Sequence, residues 1–314
     1  MKDKEMKKMI SLKNGASISN IVVSTILGHS GGGMFPYILN PAYRQLIEDV
    51  KQTKTTVITK SSTYKKRIGN YIAWKPWTWK YIKRLPDNGI LNAYGLTNGG
   101  IEAHAPQIGR VAHKGIRVIP NFYPEFSKGK DMYLLVMEIV EVMKILWKYL
   151  PLSKCIQPLE SNFSCPNSPE DRAKNVEQII HCARGIKNYL PNLPIIAKIS
   201  CLHPYELAEE LEKVGVDAIH AVNSIPYNKV FTCPISPLHY AGGGGVSGEP
   251  AFPLAFEYNK ELRKKIKIPI IMGCGVISAE HYKKYKDIGA DAVSICSLVA
   301  INPREASKLI QNNS

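Results

Sequence analysis

Short apolar runs alternate along this chain with longer stretches that are apolar on one side only. The short runs predict strands at 20–27, 55–60, 116–123, 156–164, 194–200, 218–224, 268–275 and 291–298. The longer stretches predict helices at 41–52, 104–114, 131–150, 175–190, 204–214, 253–266, 278–288 and 303–312. The most apolar of them, 131–150, keeps Glu138, Glu141, Lys144 and Lys148 at spacings of three and four, which places one polar stripe on a helix buried elsewhere. Strands that alternate with helices pair in parallel through right-handed crossovers, and eight such units predict a (β/α)8 barrel of the TIM type. An open, doubly wound sheet has the same periodicity and is the rival. Residues 1–314 read as one domain, with 1–18 a polar N-terminal segment. Two long connections interrupt the alternation: 61–103, with "WKPWTWKY", and 225–252, with "GGGG" at 242–245. Long connections in a compact domain often carry function.

Composition narrows the class. A chain of 314 residues that is 45% hydrophobic and 21% charged fills one large core and is not disordered. The net charge of +15 comes from 41 basic against 26 acidic residues, and the lysines are spread along the chain. That reads as a solvated exterior rather than a nucleic-acid surface, and it favours an anionic ligand. No stretch reads as a targeting segment or membrane span, so the expectation is a cytoplasmic protein with no membrane and no nucleic-acid partner. The seven cysteines are scattered, with no Cys-x-x-Cys pair, and no His-Glu-x-x-His occurs, so no metal site is expected.

Polar residues gather at the ends of the predicted strands. Lys60 ends the second; Asn162, Ser164, Cys165 and Asn167 end the fourth; Lys198 lies near the end of the fifth. Asn223 and Ser224 end the sixth, Gly273 and Gly275 the seventh, and Ser297 the eighth. Singly, each has an ordinary explanation: asparagines cap turns, a lysine snorkels, glycines turn the chain. Together they fall at one level of a barrel, the C-terminal rim where such folds keep their sites. Amides and a lysine suit a small planar ligand with imide groups and a carboxylate. Glycines after strands seven and eight let backbone amides approach a phosphate. The titratable group in the strand-four loop is Cys165, whose thiol serves as base or as nucleophile.

These residues carry a resemblance. "VITKSSTYKKRIGN" (57–70), "LNAYGLTNGG" (91–100), "NFSCPN" (162–167), "AVNS" (221–224) and "IPIIMGCGVIS" (268–278) resemble the dihydroorotate dehydrogenase family of FMN-dependent (β/α)8 enzymes. A cysteine in the loop resembles class 1 of that family. The resemblance implies oxidation of dihydroorotate to orotate in pyrimidine biosynthesis. In it Cys165 takes a proton from C5 and hydride passes from C6 to flavin N5. It implies a substrate set of Lys60, Asn92, Tyr94, Gly95, Leu96, Asn162, Asn167, Asn223 and Ser224. For FMN it implies Lys60, Lys198, Asn223, Ser224, Gly245, Gly248, Gly273, Gly275 and Ser297, with Lys198 beside the N1–C2 edge. "TKSST" leans towards homodimers that pass electrons to fumarate; the chain has neither a Gly-x-Gly-x-x-Gly fingerprint after a strand nor a cysteine grouping for an iron–sulfur cluster. The chain departs from the family at "VVSTILGHSGGG" after strand one, and at Cys274 and Cys296, where the family has glycine. Two other readings stand beside this one. One is a flavin-dependent pyrimidine oxidoreductase resembling dihydropyrimidine dehydrogenase; the other is a basic barrel that binds nucleic acid without catalysis.

Overall fold

The computed structural model describes residues 9–126, 131–151, 157–164, 169–232 and 234–313, with the backbone alone over 169–175. Eight parallel strands close into a barrel. They are β1 (Ile21–Ser24), β2 (Thr56–Ile58), β3 (Arg117–Ile119 continued by Asn121–Phe122), β4 (Leu159–Asn162), β5 (Ile195–Ile199), β6 (Ala218–Ala221), β7 (Ile270–Gly273) and β8 (Ala292–Ile295). The first half of β3 pairs with β2 and the second half with β4, so one strand joins both ends of the sheet. The halves are separated by Pro120, which has no N–H to give the ladder. All eight predicted strands are present, and the closed ring excludes the open sheet.

The helices follow the predicted periods. They are α1 (Pro41–Gln52), α2 (Ile101–His113), α3 (Met132–Trp147), α4 (Pro169–Tyr189), α5 (Tyr205–Val214), α6 (Phe252–Lys265), α7 (Ala279–Asp287) and α8 (Pro303–Asn313). Their starts are set by local chemistry. Asn40 accepts from the Ala42 N–H ahead of Pro41 at the first turn, Asp131 accepts from Tyr133, and Ser278 accepts from His281. On α3 the apolar positions Leu135, Ile139, Val142, Met143 and Leu146 are buried against the barrel, while Lys144 and Lys148 are exposed.

Inside the barrel the lower layer is apolar. Val22, Ile58, Ile119, Ile196, Ala218, Ile271 and Ala292 pack with Leu12, Ala16 and Ile18. The last three belong to an antiparallel hairpin, Ile10–Ser11 with Ser17–Ile18, that seals the N-terminal end of the barrel. At the opposite end the two long connections meet. Ile82–Leu85, Gly89–Asn92, Gly245–Gly248 and Ile225–Pro226 form a four-stranded antiparallel sheet. The sequence reads both segments as loops, because each strand is short and its partner lies far along the chain. The local signal for the first hairpin is "PDNG" (86–89), where Asp87 and Asn88 take left-handed φ of 53° and 54°.

Candidate active site

The small sheet and the C-terminal strand ends enclose two adjoining chambers, of about 190 and 310 Å³. Thr25, Lys60, Asn92, Lys198, Asn223 and Ser224 line both and form the wall between them. Among the described residues no carboxylate lines either chamber, whereas Lys60, Lys198 and Arg67 do. The site is therefore built for anions.

The larger chamber holds a continuous row of side-chain hydrogen bonds. Asn223 Nδ2 donates to Ser164 Oγ at 2.7 Å, Ser164 Oγ donates to Asn162 Oδ1, and Asn162 Nδ2 donates to Ser61 Oγ at 2.9 Å. The row ties the ends of β2, β4 and β6 together and fixes which face of each amide donates. Ser164, in the middle of the row, is the residue before Cys165 in the sequence. Across the chamber the Lys60 ammonium sits 3.6 Å from the centre of the Tyr94 ring, a cation–π contact. Burial pushes the Lys60 pKa down to about 8, against a pull upward from Cys296 and with a further push down from Lys198. Asn92 Nδ2 donates to the Gly245 carbonyl at 3.1 Å, which joins the two long connections directly over the wall.

The smaller chamber is walled by Ser24, Met34, Tyr37 and His220 and by the loops after β7 and β8, among others. Those loops contribute Cys274, Gly275, Cys296 and Ser297. Gly275 has φ of 85°, and a Cβ there would lie 2.4 Å from the Phe252 Cα, so only glycine fits. Cys274 takes φ of 72°, a backbone state that suits the glycine of the resemblance better than cysteine. Burial raises the pKa of both thiols, so both stay protonated.

Of the residues singled out in the sequence, Lys60, Asn92, Asn223, Ser224 and Lys198 lie on the common wall. Tyr94, Gly95, Leu96, Asn162 and Gly245 line the larger chamber, and Gly275 and Ser297 the smaller. Gly248 and Gly273 line neither; a Cβ on them would stand 2.2 Å from the Asn88 carbonyl oxygen and 2.8 Å from the Ser294 Cβ. Cys165 and Asn167 lie outside the described residues.

Several lining residues were not singled out. Thr25, with φ of 61°, follows β1 where the chain departs from the resemblance, so no motif marked it. His29 lies in the same departure. Its ring stacks on His104 at 4.2 Å, and its Nε2 faces the Thr97 carbonyl at 3.2 Å. Burial keeps both imidazoles neutral, with His104 pushed down to about 4. Gly99 N–H donates to His104 Nε2, so His104 donates from Nδ1 to Ser62 Oγ, at 2.7 Å.

Known proteins resemble this chain in sequence and in fold. Residues 45–313 match the family model described as dihydroorotate dehydrogenase. A relative from Caldicellulosiruptor saccharolyticus, named dihydroorotate dehydrogenase B (NAD(+)), catalytic subunit, is 29% identical over 81% of this chain and 78% of its own. One from Lactobacillus helveticus, named dihydroorotate dehydrogenase A (fumarate), is 27% identical over 67% of each chain. A crystal structure of the Eimeria tenella enzyme in complex with ferulenol superposes with a TM-score of 0.70 at 16% identity, over 99% of this chain and 85% of that one, and shows the shared fold.

Proposed function

The chain belongs to the dihydroorotate dehydrogenase family, and from that premise we propose that it works with FMN in the smaller chamber, dihydroorotate in the larger and Cys165 as the base. It oxidises dihydroorotate to orotate, a reaction of pyrimidine biosynthesis. The amide–hydroxyl row carries the reading of the larger chamber. It presents oriented amides from Asn162 and Asn223 in the chamber that Lys60 also lines, and its Ser164 precedes Cys165 in the sequence. A planar imide with a carboxylate matches that set of donors, acceptors and charge.

The smaller chamber fits a phosphorylated flavin in its donor set. Two ammonium groups, the hydroxyls of Ser24, Thr25, Ser294 and Ser297, and the sterically required Gly275 line it, with no carboxylate among the described residues to repel a phosphate. Bound there, FMN supplies the hydride acceptor that no side chain offers. Lys198 holds positive charge at the wall shared by the chambers, and Asn223 and Ser224 reach both ligands. Cys165 removes the C5 proton; an ordinary thiol, with a pKa of about 8.5, supplies enough thiolate near neutral pH for this. We extend the proposal to a cytoplasmic homodimer with fumarate as the electron acceptor.

The test is anaerobic mixing of the purified protein with dihydroorotate. Expected are a yellow protein that retains FMN, bleaching by dihydroorotate and none by dihydrouracil. Cys165→Ala should keep the flavin and bleach roughly 10²–10⁴-fold more slowly, with Cys165→Ser between the two. A colourless protein, preference for dihydrouracil or an unslowed alanine variant would overturn the corresponding part of the assignment.

A further inference from the structure

Beneath the wall between the chambers lies a polar layer that the reaction as described does not use. Asn121 on β3, Glu160 on β4 and His220 on β6 all point into the barrel, and Asn121 stands opposite Glu160 in the strand register. His220 Nδ1 lies 2.6 Å from Glu160 Oε2, and Asn121 Nδ2 donates to Glu160 Oε1. Lys198 stands on the intervening strand, β5, two residues beyond the partner of Glu160 and opposite His220. The layer is sealed: Glu160 is 0% exposed, and His220 and Asn121 are each 1% exposed. Below it lies the apolar floor of the barrel.

A carboxylate in such a place needs compensation. Burial opposes ionisation of Glu160, but the Lys198 charge and the hydrogen bonds that His220 and Asn121 donate to the carboxylate favour it and hold the carboxyl below its usual range. Burial acts on His220 in the opposite sense and keeps it neutral, so its Nδ1–H donates to Glu160. The layer then carries one negative charge, and the Lys198 ammonium on the next strand balances it. His220 and Lys198 both reach the smaller chamber, whose walls hold no carboxylate among the described residues. Glu160 sets a negative charge one layer below that chamber, bonded to His220.

We propose that Glu160 is a positioning residue that acts through Lys198: it offsets part of the positive charge shown to the flavin and so restrains the stability of the anionic reduced flavin. The inference rests on the flavin reading above. It names a residue outside both chambers as a determinant of how readily dihydroorotate reduces the cofactor.

Glu160→Gln tests it with little steric change. Asn121 Oδ1 is buried without a hydrogen-bond partner among the described residues. Turning the Asn121 amide over would let Oδ1 accept from the new glutamine Nε2, while the remaining oxygen still accepts from His220. The measurement is the flavin midpoint potential, taken anaerobically against a reference dye in the FMN-loaded parent, Glu160→Gln and Glu160→Asp. In Glu160→Gln the ratio of reduced to oxidised flavin at the parent's midpoint should rise roughly tenfold, the scale of one buried charge removed nearby. Glu160→Asp, which keeps the charge, should stay near the parent. An unchanged or lowered ratio in Glu160→Gln, or equal shifts in both variants, would overturn the proposal. The parent supplies a second readout that needs no variant and no flavin. Its infrared spectrum at neutral pH should contain no band from a buried protonated carboxyl group, and such a band, assigned by selective labelling of glutamate, would equally refute the idea. A parent that binds no FMN would defeat the flavin reading instead, and the infrared result would still report on Glu160.

Discussion

Lys60 is the residue at which the two chambers meet electrically. It is buried, stacked over Tyr94, and within the fields of Lys198 and Cys296. Its pKa of about 8 lies below the ordinary lysine value because burial disfavours the ammonium. Between that value and about 10.4 the unfolded chain holds the proton more tightly than the folded one, so this group's contribution to stability rises with pH across that window. Anion binding runs the other way, since the charge that attracts a carboxylate is lost as pH rises through about 8. Orotate affinity, read from the perturbed flavin spectrum, should therefore fall above that pH in the parent. In Lys60→Gln it should be weaker and nearly flat across the same range. An unaltered pH profile in the variant would show that another group titrates. The lysines and amides of the site were legible in the sequence because each ends a predicted strand or falls within a motif of the resemblance. Glu160, His220 and Asn121 were not, because polar residues inside a strand read as its solvent face. Only the closed barrel turns that face inward.

At the level of elements, the barrel and its helices follow from periodicity, and the small sheet over the site does not. Its strands are four residues or fewer, and the pairing of Asn92 with Gly245 spans 153 positions of the chain. No local pattern announces such a pairing; the turn at Asp87–Asn88 marks only the hairpin of 82–85 with 89–92. Gly248 explains how the sheet is held. Its φ of 84° is in the region that favours glycine, and a Cβ would press on the Asn88 carbonyl oxygen at 2.2 Å. Gly248→Ala should therefore open the junction between 82–92 and 245–248, at a cost of about 1–3 kcal/mol. Hydrogen exchange on the flavin-free protein should show faster exchange in those segments, with β5 and β6 as protected as before. FMN retention should fall with it, since Ile82, Ile90 and Ser247 of the sheet line the smaller chamber. Unchanged protection in both segments would mean that the sheet tolerates the side chain and that Gly248 acts elsewhere.

For the whole molecule the open matter is where the electrons go. The relatives named for NAD and for fumarate differ little in likeness to this chain, at 29% and 27% identity, so their names do not divide the two routes. The larger chamber offers a physical argument. It is lined by Lys60 and Arg67, by amides and by the neutral His29, and among the described residues by no carboxylate. A small dicarboxylate would find there the charge that orotate uses, at the same wall beside the flavin. Arg67 is paired with Glu125 at 2.7 Å, and both side chains are partly exposed, so that pair costs little to rearrange around a second carboxylate. A dinucleotide finds no glycine-rich strand-to-helix turn of the Gly-x-Gly-x-x-Gly kind to hold its pyrophosphate. The isolated protein, reduced anaerobically with dihydroorotate, should therefore be reoxidised by fumarate and not by NAD. Orotate should compete with fumarate in that second half-reaction, because both would occupy one chamber. Reoxidation by NAD without an added subunit, by a quinone in preference to fumarate, or by fumarate without competition from orotate would each place the acceptor elsewhere.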